Sequence, residues 1–402
     1  MKVDQMQLAI HGGARVRDTY LSYGRQWITE EDIQTVVQTL QSPFLTQGPK
    51  IKEFEEKMAA AVGVKYAVAF ANGTAALHGA CYAAGISAGD EVITTPMTFA
   101  ASANCVRYCE GTVVFADILP DTYNIDPGKV RSLITERTKA IIPVDFTGQP
   151  ADMEEIMAIA REHNLVVIED AAHSLGATYK GERIGNIADM TMFSFHPVKH
   201  ITTGEGGVIT TNSEEFYQRL LLFRSHGITR EQALLHNSSE GPWYYEMLDL
   251  GYNYRMTDIQ AALGITQLSR LDDYVARRRE IANQYNLRFQ ENPALVIPAQ
   301  SAVSVSSWHL YVIQLRLENL TASRKTIYEA LLAENIGVNV HYIPVHLHPY
   351  YQQLGYEKSL APNAEALYER IITLPLFPAM EEQDMEDVIT AVEKVLSYYL
   401  KK

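Results

Sequence analysis

The chain contains 402 residues, of which 47% are hydrophobic and 20% are charged, a composition typical of a folded globular protein. A chain of this length is too long to fold around one simple core, and we expect a large domain joined to a smaller one. The formal net charge of −14 disfavours non-specific binding to nucleic acid, so local groups must hold any anionic substrate.

Neither the cysteines nor the apolar stretches indicate a secreted or membrane protein. Cys81, Cys105 and Cys109 are odd in number and lack CxxC spacing, which argues against a disulfide framework and a zinc site. The N-terminus has no apolar leader core, and no stretch reaches about 18 apolar residues. We therefore expect a cytoplasmic protein without a membrane segment. The basic run 277–279 lies among acidic residues and predicts a solvated helix face with mixed ion pairs.

An N-terminal arm is expected to end near Tyr23, and two helices follow it. The first begins at Thr29, where Asp32 completes a capping-box pattern, and its apolar residues recur at helical spacing. The turn 42–50 separates it from a second amphipathic helix.

From residue 66, short apolar runs alternate with amphipathic helices, in the order YAVAFA, EVITTP, TVVFADI, KAIIPVDF and LVVIED. This alternation predicts an α/β fold with a large, mostly parallel sheet and helices on both faces. Two more strands, MTMFSF and GGVITT, precede a long helical region at about 257–290. The remainder predicts a smaller C-terminal α/β domain with the strands WHLYVIQL and GVNVHYIP. We place the boundary near residue 290, which gives domains at 1–290 and 291–402.

Ligands bind such sheets beyond the carboxyl ends of the strands, so Asp170 at the end of LVVIED is a candidate site residue. Glu169 should point to the opposite face, because side chains alternate along a strand. A carboxylate at this place could keep the pyridine nitrogen of a pyridoxal cofactor protonated, which lets the ring act as an electron sink. A helix cap or a loop ion pair is the alternative role for Asp170.

Lys199 lies in the segment MTMFSFHPVKHITTGEGG, between two apolar runs. A lysine that forms a Schiff base must lose its proton near neutral pH, and apolar neighbours such as Phe195 and Val198 favour that loss. The glycines at 204, 206 and 207 permit close approach of the backbone to a ligand. The alternative is a surface lysine, against which the apolar content of the segment argues.

Asn72, Gly73 and Thr74 connect an apolar run to a helix, and the first amides of a helix form a ready anion site. Gly73 and Thr74 could therefore hold a cofactor phosphate, with Ser194 as a second candidate, although Asn-Gly is also a common turn. Phe99 follows another strand and either stacks on the pyridine ring or packs in the core.

Several histidines lie near these positions. His173 follows Asp170 closely and either contacts the cofactor ring or serves as a structural histidine. His341, His346 and His348 form a cluster, but no acidic or cysteine partner has the spacing of a metal site. We therefore expect no metal and favour a substrate-facing role for this segment.

Together these motifs resemble one family over nearly the whole chain: the DegT/DnrJ/EryC1/StrS sugar aminotransferases, which have the aspartate-aminotransferase fold (PLP fold type I). The matching stretches are NGTAAL, TTPMTFAASAN, VDFTGQP, IEDAAHSLGA, FSFHPVKHITTGEGG, LFRSHG and GYNYRMTDIQAALG. Each is a weak signal alone, whereas all of them in this order are specific. The resemblance implies a pyridoxal 5′-phosphate cofactor bound covalently to Lys199, with pyridoxamine phosphate as an intermediate.

The resemblance also implies roles for residues around that lysine. Asp170 is similar to the partner of the pyridine nitrogen. His173 stands where many relatives have glutamine, and we expect it to act as a catalytic residue near the ring. The residues that look like the phosphate contacts and the stacking ring are Gly73, Thr74, Ser194 and Phe99. Asn253 is similar to a residue that reaches the cofactor phosphate of the neighbouring subunit, which implies a homodimer with shared sites.

Within the family, the chain is similar to the transaminases of pseudaminic-acid biosynthesis in FLTQG, His173, FSFHPVK, RSHG and NVHY. That likeness implies amino transfer from L-glutamate, which becomes 2-oxoglutarate, to C4 of a UDP-linked 4-keto-6-deoxy-N-acetylhexosamine. The product would be UDP-4-amino-4,6-dideoxy-N-acetyl-β-L-altrosamine. The implied nucleotide-sugar contacts are Tyr23, Phe44, Leu45, Thr46, Asn339, Val340, His341 and Tyr342. Arg255 is a candidate for the carboxylate of glutamate.

Two departures from the family pattern leave the sugar open: His200 replaces a proline, and GEGG replaces AEGG. The alternatives are an aminotransferase for another nucleotide-linked keto sugar, such as a bacillosamine or perosamine type, a dehydratase that uses pyridoxamine phosphate, and a non-catalytic regulator. The related dehydratases have histidine in place of the lysine, so Lys199 argues against that activity, while His200 beside it keeps it open.

Overall fold

The computed structural model describes residues 7–237 and 240–401; residues 1–6, the start of the segment in which no leader is expected, lie outside it. The elements of the first part of the chain are α1 (Glu30–Gln41), α2 (Pro49–Val62), β1 (Tyr66–Phe70), α3 (Gly73–Ala83), β2 (Glu91–Thr94), α4 (Ala101–Tyr108), β3 (Thr112–Phe115), α5 (Pro127–Leu133), β4 (Thr138–Ile142), α6 (Met153–His163), β5 (Val166–Asp170), β6 (Thr178–Tyr179), β7 (Glu182–Arg183), β8 (Met190–Ser194) and β9 (Gly207–Thr211). The second part contains α7 (Glu214–Arg224), β10 (Ile228–Thr229), β11 (Glu246–Met247), α8 (Asp258–Leu268), α9 (Leu271–Phe289), β12 (Leu295–Val296), β13 (Ser304–Val305), β14 (Tyr311–Leu315), α10 (Arg324–Ala333), α11 (Pro349–Gln353), α12 (Pro362–Tyr368), β15 (Ile371–Leu374) and α13 (Glu382–Tyr399).

Every apolar run predicted in the large domain forms a strand of one central sheet, in the order β1-β9-β8-β5-β4-β2-β3. The pairs from β8 through β5, β4 and β2 to β3 are parallel. β9 pairs antiparallel with both β1 and β8, so it alone in this sheet runs in the reverse direction. The prediction of a mostly parallel sheet is therefore confirmed.

Helices cover both faces of this sheet, as predicted, because alternate strand residues point to opposite sides. In β1, Ala67 and Ala69 pack in one core with residues of α2 and α6. Val68 and Phe70 pack in the opposite core with residues of α3, α4 and α7. This arrangement leaves the carboxyl ends of the strands open, where loops can carry functional side chains.

The beginning of α1 has the predicted capping box, in which the Thr29 N–H donates to the Asp32 carboxylate at 2.8 Å. The apolar stripe of this helix, however, is not covered within the chain. Ile33, Val37 and Leu40 are exposed, Leu40 to 53%. An uncovered apolar helix face is a candidate interface with another chain.

The C-terminal part contains a three-stranded antiparallel sheet, β12-β14-β15, with a core of its own. The predicted helical region at 257–290 consists of two helices, α8 and α9. Leu271 and Val275 of α9 pack in the first core, and Ile281 and Phe289 pack in the C-terminal core. The domain boundary near residue 290 stays a prediction, since α9 contributes to both cores.

A buried ion pair fixes the N-terminal arm to the C-terminal part. Lys394 and Glu334 are both buried, with Lys394 Nζ 2.8 Å from Glu334 Oε1. The N–H groups of Ala9 and Val16 donate to the two Glu334 oxygens at 2.9 Å, and Lys394 donates to the Ala14 carbonyl. Each hydrogen-bonding partner compensates for the loss of water around these charges.

Two sequence predictions were wrong. GVNVHYIP is not a strand: Asn339 forms a single bridge with Thr373, after which the segment leaves the sheet edge toward Pro344, which has no N–H to offer a ladder. In the arginine run, Arg277 forms the expected ion pair with Glu280, but the prediction of a solvated face is wrong at Arg278, which is fully buried and donates to backbone carbonyls. Its sequence neighbours predicted an exposed helix, but the contact of α9 with two cores buries this position.

Among the described residues, no helix combines the length and the apolar character needed to cross a bilayer.

Candidate active site

A cavity of about 950 Å³ opens beyond the carboxyl ends of β1, β2, β4, β5 and β8, where an α/β sheet is expected to bind its ligand. The structure brings most of the predicted site residues together in its lining. They are Tyr23, Gly73, Thr74, Phe99, Asp170, His173, Ser194, Lys199, Asn339, Val340, His341 and Tyr342. Residues that lie far apart in sequence therefore meet at one edge of the sheet.

Five predicted residues do not line this cavity: Phe44, Leu45, Thr46, Asn253 and Arg255. Phe44 is 51% exposed, and Leu45 and Asn253 are exposed as well. The backbone of Thr46 forms an isolated β-bridge with Thr257, and the backbone of Arg255 forms one with Phe70. Within one chain, these five side chains contribute nothing to the cavity surface.

Asp170 ends β5 and presents its carboxylate to the cavity, as its position in the strand predicted. The Ser102 hydroxyl donates to Asp170 Oδ2 at 2.6 Å, and the Ala172 N–H donates to Oδ1 at 3.1 Å. Burial raises the pKa of Asp170, while these hydrogen bonds and the Lys199 cation oppose the rise. The result is a fixed, buried carboxyl group that a cationic ligand nitrogen would stabilise in its ionised form.

Glu169 points to the other face of the sheet, as predicted, where it accepts a hydrogen bond from Thr191 at 2.9 Å. Burial raises its pKa well above the usual range, and the Asp145 carboxyl nearby adds to the effect. Burial likewise raises the pKa of Asp145 to about 7. Alternation along one strand thus separates a structural carboxyl, Glu169, from the carboxyl that faces the cavity.

Lys199 lies in the turn that follows β8, and its side chain lines the same cavity as Asp170. Burial lowers the pKa of Lys199 to about 8; the Asp170 carboxylate opposes this change and the Arg278 guanidinium adds to it. Its Nζ lies 3.4 Å from His309 Nε2. An amine with this pKa is partly unprotonated near neutral pH and can act as a nucleophile or a base.

The start of α3 offers hydrogen-bond donors to an anion. Asn72 caps this helix by accepting from the Ala75 N–H at 2.8 Å, so Gly73 and Thr74 occupy its first two positions. Amides there precede the first intrahelical hydrogen bond and are free to bind a ligand. A Cβ at Gly73 would lie 3.2 Å from Ser194 Cβ, so the end of β8 and this turn are in contact.

Not every glycine after Lys199 has the predicted role of allowing the backbone to approach a ligand. A Cβ at Gly207 would lie 2.7 Å from the Asn72 carbonyl oxygen and 2.8 Å from Gly73 Cα. Gly207 therefore allows β9 to lie close to the turn before α3. The close approach at this glycine is to the protein backbone and not to a ligand. Gly204 has positive φ and no atom within 4 Å of such a Cβ, so it serves the turn itself.

Aromatic and imidazole groups form the remaining walls. His173 is buried, and its Nε2 lies 3.1 Å from the Tyr342 hydroxyl. Phe99 is 62% exposed, faces the cavity and lies 6.3 Å from the Tyr342 ring, so it is not a core residue. Burial lowers the pKa of His173 well below its usual range, and Lys199 lowers it further, so this imidazole is neutral.

The three histidines of HYIPVHLH separate in the fold. His341 lines the cavity, and its Nδ1 lies 2.9 Å from Thr373 Oγ1. His346 is buried away from the cavity, with Nε2 2.9 Å from a Glu365 oxygen. His341 therefore stands in the substrate-facing position that the sequence favoured, and His346 has a structural role.

Sequence reasoning missed two residues that contact the central groups. Ser102 lies in the first turn of α4, three positions after Phe99, and its closeness in sequence to that candidate residue could have indicated its place near Asp170. His309 stands just before the apolar strand β14, and a polar residue at such a place is a weak signal. Their importance follows from tertiary contacts with Asp170 and Lys199.

The whole-chain comparisons agree with this geometry. The model of the DegT/DnrJ/EryC1/StrS aminotransferase family matches residues 26–393. The chain belongs to this family. The spore coat polysaccharide biosynthesis protein SpsC of Bacillus subtilis is 47% identical over 382 residues, 94% of this chain and 98% of SpsC. The UDP-4-amino-4,6-dideoxy-N-acetyl-beta-L-altrosamine transaminase of Campylobacter jejuni is 39% identical, over 94% of this chain and 99% of that protein.

Solved aminotransferase structures have the same fold. PseC of Helicobacter pylori, an aminotransferase involved in the biosynthesis of pseudaminic acid, superposes with a TM-score of 0.88 at 33% identity, covering 94% of this chain and 99% of PseC. The PLP form of Spr1654 of Streptococcus pneumoniae, assigned as a sugar aminotransferase, gives a TM-score of 0.86 at 33% identity over 94% of this chain and 100% of that one. The predicted aminotransferase fold and the predicted class of enzyme, a sugar aminotransferase, are confirmed.

Proposed function

We propose that this enzyme transfers the amino group of L-glutamate to C4 of a UDP-linked 4-keto-6-deoxy-N-acetylhexosamine, giving UDP-4-amino-4,6-dideoxy-N-acetyl-β-L-altrosamine. The observation that carries the proposal is a single cavity in which the Lys199 amine, the Asp170 carboxylate and the segment 339–342 meet. The similarity to the Campylobacter jejuni transaminase and to PseC supports the choice of sugar.

The cavity fits pyridoxal 5′-phosphate at its pyridine end. A protonated pyridine nitrogen needs a buried anion, and Asp170 supplies one that Ser102 and Ala172 hold in place. Phe99 faces the same cavity with an exposed ring, which suits stacking on a flat heterocycle. Lys199 is the residue that would hold the cofactor covalently. The cofactor assignment is also supported by the PLP and PMP forms of Spr1654.

The phosphate end of the cofactor fits the start of α3. The Gly73 and Thr74 amides and the positive end of the helix dipole favour a doubly negative group there. Ser194, in contact with Gly73, adds a hydroxyl donor. The chain thus offers a donor set at one end of the cavity and an anion at the other, in agreement with the polarity of the cofactor.

When bound, the cofactor supplies an electron sink for the electrons released at the donor carbon. The chain itself must move the proton that leaves this carbon, and Lys199 is placed to do so. Because its pKa is lowered to about 8, about a tenth of the amine is unprotonated at pH 7 and can accept that proton. Asp170 keeps the pyridine nitrogen protonated, which strengthens the sink.

His173 is proposed to act beside the cofactor ring. Its neutral imidazole can accept a hydrogen bond from the Tyr342 hydroxyl at 3.1 Å, and both groups line the cavity. Tyr342 belongs to the segment proposed to contact the nucleotide sugar. The His173–Tyr342 contact therefore connects the cofactor side of the cavity with the substrate side and orients both groups.

The proposed nucleotide-sugar wall includes Tyr23 and the segment 339–342. The Leu376 N–H donates to the Tyr23 carbonyl at 3.0 Å, which fixes the end of the N-terminal arm at the cavity. The Tyr23 ring lies 5.2 Å from the His341 ring, and the pair forms an aromatic surface. Such surfaces suit the stacking of a base or a sugar.

A homodimer completes this proposal. Four of the predicted residues lie outside the cavity of their own chain and have exposed side chains: Phe44, Leu45, Thr46 and Asn253. We place them across the interface, with Asn253 at the cofactor phosphate of the partner and residues 44–46 at its substrate. The exposed apolar face of α1 supplies surface for that interface.

A second candidate is amino transfer to a different nucleotide-linked keto sugar. The specific observation in its favour is the similarity to SpsC, which at 47% identity exceeds the 39% identity to the Campylobacter jejuni transaminase. The chemistry at Lys199 and Asp170 would be the same for both candidates. Only the contacts of the sugar and nucleotide would differ.

The test combines cofactor mapping with product analysis. Purified enzyme should be yellow, borohydride should abolish the yellow band, and peptide mapping should find the reduced cofactor on Lys199. NMR of the product formed from glutamate and the UDP-linked 4-keto sugar should show the altro configuration with nitrogen at C4. Lys199→Ala protein should be colourless and inactive. Another aminated sugar as product would favour the second candidate, whereas a deoxygenated sugar would indicate a dehydratase. If the Lys199→Ala protein retained its full biological function, a non-catalytic regulator would be indicated.

A further inference from the structure

His309 is a buried residue at the start of the C-terminal core that the proposed chemistry does not use. Its Nε2 lies 3.4 Å from Lys199 Nζ, whereas its Nδ1 is buried and has no hydrogen-bond partner among the described residues. The polar contact of this imidazole is thus with the reacting amine. An apolar side chain would fill the same space without burying an unpaired polar atom. Packing alone therefore does not explain a histidine at this position.

We propose that His309 is a positioning residue for the reaction: its neutral imidazole accepts a hydrogen bond from the Lys199 amine and holds that amine toward the cavity whenever it is free. The proposal rests on the proposed function, in which Lys199 carries the cofactor. The distance of 3.4 Å is long for a hydrogen bond, and such contacts at catalytic centres commonly shorten when ligands bind.

A single buried guanidinium connects the backbone of His309 with that of Lys199. Arg278 donates to the carbonyls of Trp308, His309 and Leu376 at 3.3, 3.2 and 2.9 Å. It also approaches the carbonyl of Val198, the residue before Lys199, at 3.4 Å. Arg278 therefore fixes the separation of the two segments, and with it the distance between the imidazole and the amine.

The backbone around His309 is held in conformations that side chains disfavour. Trp308 has φ of +51° and Thr147 has φ of +61°, and the Leu310 N–H donates to the Thr147 carbonyl. A Cβ at Gly148 would lie 2.8 Å from the backbone nitrogens of both Trp308 and His309. Strained conformations persist only where surrounding contacts enforce them, and they concentrate at functional sites. The fold thus aims His309 at Lys199 at an energetic cost.

The surroundings keep this imidazole neutral, as an acceptor must be. The charged and titratable groups that face His309 are Lys199, His173, His200 and Arg278. All of them are cations or become cations on protonation, and they act with burial to lower the pKa of His309 well below its usual range. In the proposed contact the neutral ring carries its proton on Nδ1, which leaves Nε2 free to accept from Lys199.

The test measures how fast the free amine captures its cofactor. Full-length apoenzyme is mixed with pyridoxal phosphate at a pH above 9, where Lys199 is largely unprotonated, and the yellow band is followed. Methionine and glutamine are similar in size, but only glutamine offers a strong acceptor. We expect His309→Met to capture the cofactor about tenfold more slowly, the effect of one hydrogen bond, and His309→Gln to remain within about threefold of the unaltered enzyme.

Matched controls separate this role from a structural one. His346→Gln alters another fully buried histidine, outside the cavity, and should leave the capture rate unchanged. Equal rates for His309→Met and the unaltered enzyme, with borohydride label on Lys199, would overturn this inference and leave the proposed function intact. Label on another lysine would overturn the proposed function itself. If circular dichroism shows that His309→Met is unfolded, His309→Phe replaces it, with the same slow capture expected.

Discussion

The lowered pKa of Lys199 gives a quantitative prediction for the pH dependence of cofactor capture. With a pKa of about 8, about a tenth of the amine is unprotonated at pH 7 and about nine-tenths at pH 9. The rate at which apoenzyme captures pyridoxal phosphate should therefore rise nearly tenfold between these values and then level off. An ordinary lysine, with a pKa of about 10.4, would still be gaining reactivity above pH 10.

The charges around Lys199 set the direction in which a substitution moves this midpoint. The Asp170 carboxylate stabilises the protonated amine and so raises the pKa of Lys199 against the effect of burial. Asp170→Asn removes that anion while keeping an acceptor for the Ser102 hydroxyl, so the midpoint should move to lower pH. Stopped-flow absorbance with borohydride trapping measures both profiles. A rate that climbs through pH 10 without levelling, or a midpoint that rises in Asp170→Asn, would refute the reasoning.

Three further predictions concern stability and assembly. Glu334→Gln should lower the free energy of unfolding in urea by about 3–5 kcal/mol, because it leaves the buried Lys394 charge unpaired; a loss below about 1 kcal/mol would contradict this. Gly148→Ala should lower the melting temperature more than Gly181→Ala, because both have positive φ but only at Gly148 would a Cβ meet backbone atoms, at 2.8 Å. Phe44→Asp should convert a dimer to monomers in light scattering, and an unchanged mass would argue against the proposed interface.

The sequence predicted the central sheet well because its strands are buried on both faces. Such strands appear as continuous apolar runs between helices, and each predicted run became a strand. The end of a strand also fixes which side chain emerges at the ligand edge, so Asp170 could be located from its place in LVVIED. Local pattern and strand geometry were sufficient for these predictions.

The contacts around Lys199 could not be found in this way, because they join segments that are distant in sequence. Arg278 has acidic neighbours that are typical of an exposed helix, yet α9 spans two cores and buries it. His309 contacts Lys199 across 110 positions of sequence. Apart from the weak signal of a polar residue just before β14, the local sequence does not distinguish these two residues from structural ones. Their importance depends on how the C-terminal part packs against the central sheet.

The charge of the cavity supplies a physical argument for the proposed dimer. Lys199 is the only lysine or arginine that lines the cavity within the described part of the chain. Four histidines line it as well: burial lowers the pKa values of His173, His309 and His341, which are therefore neutral, while His196 is exposed. A UDP-sugar and glutamate both bring negative charge, while the net charge of the chain is −14. Among the described residues, one chain therefore offers the proposed anionic substrates few cations besides Lys199. A second chain, docked through the exposed face of α1, could add them, with Arg255 beside Asn253 as the cation expected to reach across the interface.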